Sequence, residues 1–147
     1  MVMSSVASVS SRYAVHLEIP SDAPGGGVAR LIAADAGLAA GLDADEIDDL
    51  RIAVDELREA LGRAAGRPSP ATRVALEFEV GDALVRVQAA MPLASSGEPI
   101  DGASELAPVS ALTRRVLEVV TAEYEAPYVG DRSIRASVTK RAVGRRA

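Results

Sequence analysis

Apolar and polar positions along this chain follow two periods. In Tyr13–Ile19, Val15, Leu17 and Ile19 fall on one side, with Ala14, His16 and Glu18 on the other. That two-residue alternation predicts a half-buried strand. Pro20-Ser21-Asp22 ends it, and the segment SDAPGGG leads into a helix expected to run to about Ala40. On that helix Val28, Leu31, Ile32, Asp35 and Leu38 lie near one, mostly apolar, face. Gly41 closes it, and Asp43 with Glu46 three residues on has the spacing of a capping box for a second helix. There Ile47, Leu50, Val54, Leu57 and Leu61 recur at intervals of 3, 4, 3 and 4, a buried stripe at helical period. Gly66 and Pro68 are expected to end it.

A hairpin follows. Val74, Leu76, Phe78 and Val80 alternate with Ala75, Glu77 and Glu79, Gly81-Asp82 suits a two-residue turn, and Val85, Val87 and Ala89 continue the return strand. Residues 92 to 108, small, polar and broken by three prolines, read as a loop. A third helix is expected from about Val109 to Tyr124, with Leu112, Val116, Val119 and Val120 inward. A final strand follows from about Ser133 to Val143, with Ile134, Ala136 and Val138 on one face and Arg135, Ser137 and Thr139 on the other. The order β-α-α-β-β-α-β defines an α/β (α+β) two-layer sandwich, a mixed, mostly antiparallel sheet with helices on one face. No internal repeat is present.

Composition narrows the class. The 147 residues suit one domain, here residues 13–143, between an N-terminal tail of residues 1–12 expected to be disordered and a basic C-terminal tail of residues 144–147. With 48% hydrophobic but only 3% aromatic residues, the core must be aliphatic. The absence of cysteine excludes disulfides, thiolate metal sites and cysteine nucleophiles. A net charge of -5 argues against direct nucleic-acid binding. No apolar run approaches the roughly 18 residues of a membrane span. The first residues make a poor signal peptide, so the expected location is cytoplasmic.

The stretch DADEIDDLRIAVDELREALGRA, together with LEIPSDAPGGGVARLIAADAG before it, resembles the anti-sigma-factor serine kinases of bacteria. They are a branch of the GHKL ATPase group, with its Bergerat-like fold. The resemblance spans roughly residues 13 to 143. In that family the second helix carries a Glu that orients the attacking group. An Asn four residues later holds Mg²⁺ between the nucleotide phosphates. Carried over, Glu56 takes the Glu position, Ala60 the Asn position, and Arg63 stands where the family often has His. Alanine offers a metal no oxygen. The family's Asp-x-Gly-x-Gly motif is replaced by Met91-Pro92-Leu93-Ala94-Ser95-Ser96-Gly97, with only Asp101-Gly102 beyond it. Ala107-Pro108-Val109-Ser110 stands where the family has phosphate-cradling glycines. The resemblance therefore implies a degenerate member that uses no cofactor. It would be an anti-sigma-like protein sequestering a sigma factor by occlusion, released by an anti-anti-sigma factor and able to form a homodimer. The alternatives are a kinase using ATP and Mg²⁺ on the anti-anti-sigma factor, or a small-ligand-binding module with a polar cavity beside Glu56.

Other candidates carry less. Gly25-Gly26-Gly27 lacks the spacing and the Lys of a P-loop and reads as a flexible turn. His16, the only histidine, sits on the polar face of a strand with no partner nearby in sequence. Arg30 matches the arginine with which the family's first helix helps to hold the sigma factor. Lys140, Arg141, Arg145 and Arg146 form a weak basic patch, read as a frayed terminus.

Overall fold

A computed structural model describes residues 13–21, 26–64, 73–92, 109–130 and 132–143. The chain runs β1 (Tyr13–Pro20), α1 (Gly26–Ala40), α2 (Ala44–Ala64), β2 (Arg73–Gly81), β3 (Leu84–Pro92), α3 (Ala111–Val120), β4 (Glu123–Gly130) and β5 (Ser133–Arg141). The five strands form one sheet in the order β1-β2-β3-β5-β4, every neighbouring pair antiparallel. The three helices pack on one face of it. The expected mixed sheet is thus wholly antiparallel and has one more strand. The third helix stops at Val120 rather than Tyr124, and β4 occupies the interval before β5. Its sequence EYEAPYVG hides the two-residue period, because the register slips between Glu125 and Tyr128 at a bulge that holds Pro127. Proline, which cannot donate to a ladder, is tolerated on such an edge strand.

The joints are local and satisfied. Asp43 Oδ1 accepts from the Glu46 amide at 2.8 Å, while Glu46 Oε1 accepts from the Asp43 amide at 2.9 Å, the reciprocal capping box the spacing predicts. The other Glu46 carboxylate oxygen accepts from the Val143 amide at 2.6 Å, fastening the chain beyond β5 to the start of α2. Gly41, at φ 81°, ends α1: its amide donates to Leu38 O and that of Leu42 to Gly37 O, which together make a Schellman cap. The hairpin turn is Asp82-Ala83, one residue later than expected. Ala83 has φ 57°, held by its amide on Ala40 O and by its carbonyl accepting from the Ala142 amide.

The core follows the strand and α2 patterns. Leu50, Val54, Leu57 and Leu61 are buried against Leu76, Phe78, Val87 and Ile134, with Ile47 half-buried at the margin. The other two helices sit differently. An apolar stripe ordinarily faces the core, yet α1 turns Gly26, Ala29, Ala33, Ala36, Gly37 and Ala40 inward. Val28, Leu31 and Leu38 stay 46%, 69% and 69% exposed. Close approach is the reason: a Cβ on Gly37 would lie 2.8 Å from Ile47 Cγ1, so only small residues fit between the helices. In α3, Thr113, Leu117 and Val120 are buried, Val116 is half-buried, and Leu112 and Val119, expected inward, are exposed.

Candidate functional site

The residues assigned by resemblance lie along α2. Glu56 is half-buried, Ala60 is buried at 3% exposure, and Arg63 is exposed with its guanidinium 3.7 Å from Glu59. One turn beyond Glu56 the helix therefore presents a buried methyl group where a metal would need an oxygen donor. Among the described residues, no group of three or more His, Asp or Glu side chains is placed to hold a metal ion. At the start of α3 one amide is already taken up. The Ser110 hydroxyl oxygen accepts from the Thr113 amide at 3.1 Å, taking up a donor that a phosphate would use. These residues do not fit a Mg²⁺-bound nucleotide. The replaced glycine motif beyond Pro92 and the Ala107-Pro108 pair lie outside the described residues, as do Gly25, Gly66, Pro68, both tails and the 92–108 loop after its first residue.

Arg30 is placed differently from the other three. Its Nη1 lies 2.9 and 3.1 Å from the two carboxylate oxygens of Asp55, bridging α1 to α2 with both side chains partly open to solvent. Gly26 makes room for this pair, since a Cβ there would lie 3.3 Å from Arg30 Nη1 and 2.9 Å from Arg58 Nη2. A shallow concavity of about 300 Å³ beside the bridge is lined by Arg30, Asp48, Arg51, Ile52 and Asp55. On the outer side of the same helix runs the stripe of Val28, Leu31 and Leu38, interrupted by exposed Asp35. Burying a leucine or valine fully is worth about 1.5–3 kcal/mol, a gain that these three side chains on one solvent-facing helix do not realise within the fold.

Behind the helices, the other face of the sheet is polar. His16, Glu77, Gln88, Ser137 and Glu125 form one row across all five strands. A concavity of about 380 Å³ on that face is lined in part by His16, Glu77, Arg86, Tyr128 and Arg135. It lies on the side of the sheet away from α2, so it is not the cavity beside Glu56 that a small-ligand module would need. His16 is exposed there, on the polar face of β1 as expected.

Two further groups escape a reading of the sequence. Lys140, read as part of a frayed basic end, is an internal residue of β5. Its Nζ donates to Asp49 Oδ2 at 2.9 Å and to the Val120 carbonyl at 3.0 Å, joining β5, α2 and the end of α3. Its neighbour Arg141 also belongs to β5 and pairs with Glu123 at 3.1 Å. Tyr124 has its hydroxyl shut from solvent with no hydrogen bond among the described residues. Burial raises its pKa above the ordinary tyrosine value, with Arg114 opposing and Glu118 adding to the shift. Only pairing across the fold shows these groups; Lys140 and Asp49 are 91 residues apart.

No protein-family model matches the chain, and no curated protein matches it. No helix among the described residues is long and apolar enough to cross a membrane.

Proposed function

We propose that this protein is an anti-sigma-like regulator that sequesters a bacterial sigma factor in the cytoplasm by protein–protein binding, without kinase chemistry, and that an anti-anti-sigma factor releases it. The observation that carries this reading is the outward apolar stripe of α1, Val28, Leu31 and Leu38, beside Arg30. The Arg30–Asp55 bridge joins α1 to α2, and the buried alanine and glycine face packs the helix down, so the stripe is held facing outward. Occlusion requires surface and not turnover, which agrees with the buried methyl of Ala60 where phosphoryl transfer would need a metal ligand.

Titration of purified sigma factors into the protein, with and without ATP and Mg²⁺, tests this function. Saturable binding to one of them, unchanged by nucleotide, is the expected result. Binding that appears only with ATP and Mg²⁺, or phosphate transfer to an anti-anti-sigma factor, would instead establish the kinase alternative. Absence of binding to any sigma factor would remove the proposal.

A further inference from the structure

Val28, Leu31, Asp35 and Leu38 are separated by 3, 4 and 3 residues. At 100° per residue they fall within an arc of about 80°, along about 15 Å of helix. This is the spacing by which one helix follows another, its seam alternating in steps of three and four. A strand, with its period of two, would not match it. In the middle of the seam stands a carboxylate. Asp35 is exposed and makes no hydrogen bond or ion pair among the described residues. Elsewhere on the two helices Arg30 pairs with Asp55, Arg51 with Asp48 and Arg63 with Glu59.

A partner that covers the seam must therefore deal with Asp35, because sealing an unpaired carboxylate from water is costly. A second copy of this chain does so poorly. Pairing two α1 helices in parallel would set Asp35 against Asp35. Antiparallel pairing that matches Val28 to Leu38 would set Asp35 against Leu31. The helix's own cation, Arg30, already lies 2.9 Å from Asp55. An anionic lipid surface would meet this same carboxylate on a chain of net charge -5.

Resting on the reading of α1 as the protein-binding face, we propose that the partner element docked there is an amphipathic helix carrying a lysine or arginine within its own apolar seam, opposite Asp35. The aliphatic residues on either side supply the contact area, and the buried pair selects the partner and its register.

The probes are two synthetic helical peptides of identical heptad sequence, leucine and isoleucine along the seam, that differ only at the central seam position, Lys in one and Asp in the other. Each is titrated calorimetrically into the full chain and into its Asp35→Lys variant. The wild type should prefer the Lys peptide by about tenfold or more, and Asp35→Lys should reverse the order, as expected for a buried seam charge. Asp35 is exposed, so the variant should keep the thermal midpoint of the wild type. Equal affinities, no saturable binding of either peptide, or a preference unmoved by Asp35→Lys would overturn the proposal. So would a homodimer in sedimentation that Leu31→Arg dissociates. The peptides contain no sigma sequence, which separates the two ideas. Sigma binding lost in Leu31→Arg with equal peptide affinities would leave α1 as the interaction face and remove the basic seam. Peptide discrimination without any sigma partner would do the reverse.

Discussion

Lys140 shows how much one side chain can join. Its side chain is 9% exposed, and its ammonium meets a carboxylate of α2 and the last carbonyl of α3. A cation at a helix C-terminus is favoured by the exposed carbonyls there, and a charged hydrogen bond is worth about 1.5–3 kcal/mol. Lys140→Met keeps the aliphatic stem and removes only the charge. It should lower the free energy of unfolding by about 2 kcal/mol in urea denaturation, because Val120 O and Asp49 both lose their donor. Arg141→Ala, on the exposed pair with Glu123 next to it, should stay within about 0.5 kcal/mol of wild type. Equal effects would mean that burial does not set the difference.

At the scale of elements, α2 was legible because leucine and valine occupy its inward stripe and its other positions are mostly charged. Its first turn was legible too, since Asp43 and Glu46 can cap only at that spacing. The first helix carries two stripes of the same period, one of Ala and Gly, one of Val and Leu, and hydropathy favours the second as core. Packing chose the first, because Gly37 and its alanine neighbours let α1 approach Ile47 closely. That choice has a direct consequence: Ala33→Leu should destabilise by about 1–3 kcal/mol through overpacking, while Leu31→Ala should change stability by no more than about 0.5 kcal/mol. Thermal or urea unfolding of the two variants checks the orientation, and the opposite order would refute it. In α3, of the positions expected inward, Val120 is buried and Val116 half-buried, while Thr113 and Leu117 take the places expected for Leu112 and Val119. β4 was not legible at all, because its bulge and Pro127 break the alternation that identifies a strand.

For the molecule as a whole, the resemblance names two places, one on α2 and one on α1. Resemblance directs attention to Glu56, Ala60 and Arg63, where the geometry offers a metal no oxygen beside Glu56. Arg30, drawn from the same resemblance, lies instead beside the exposed stripe of α1, tied to Asp55. Sequence could name these residues, but which face of α1 meets water was settled only by the packing of small residues against α2 and the sheet. On the proposed function, this outward face captures the partner. The measurement that tests this first is calorimetric titration of a sigma factor selected by the binding screen into the wild type and into the double variant Leu31→Arg, Leu38→Arg. Both positions are exposed, so the variant should fold with a similar thermal midpoint. Loss of the two anchors should weaken binding by about a hundredfold or more, as for hot-spot residues at an interface centre. Undiminished affinity in the folded double variant would move the binding site off α1.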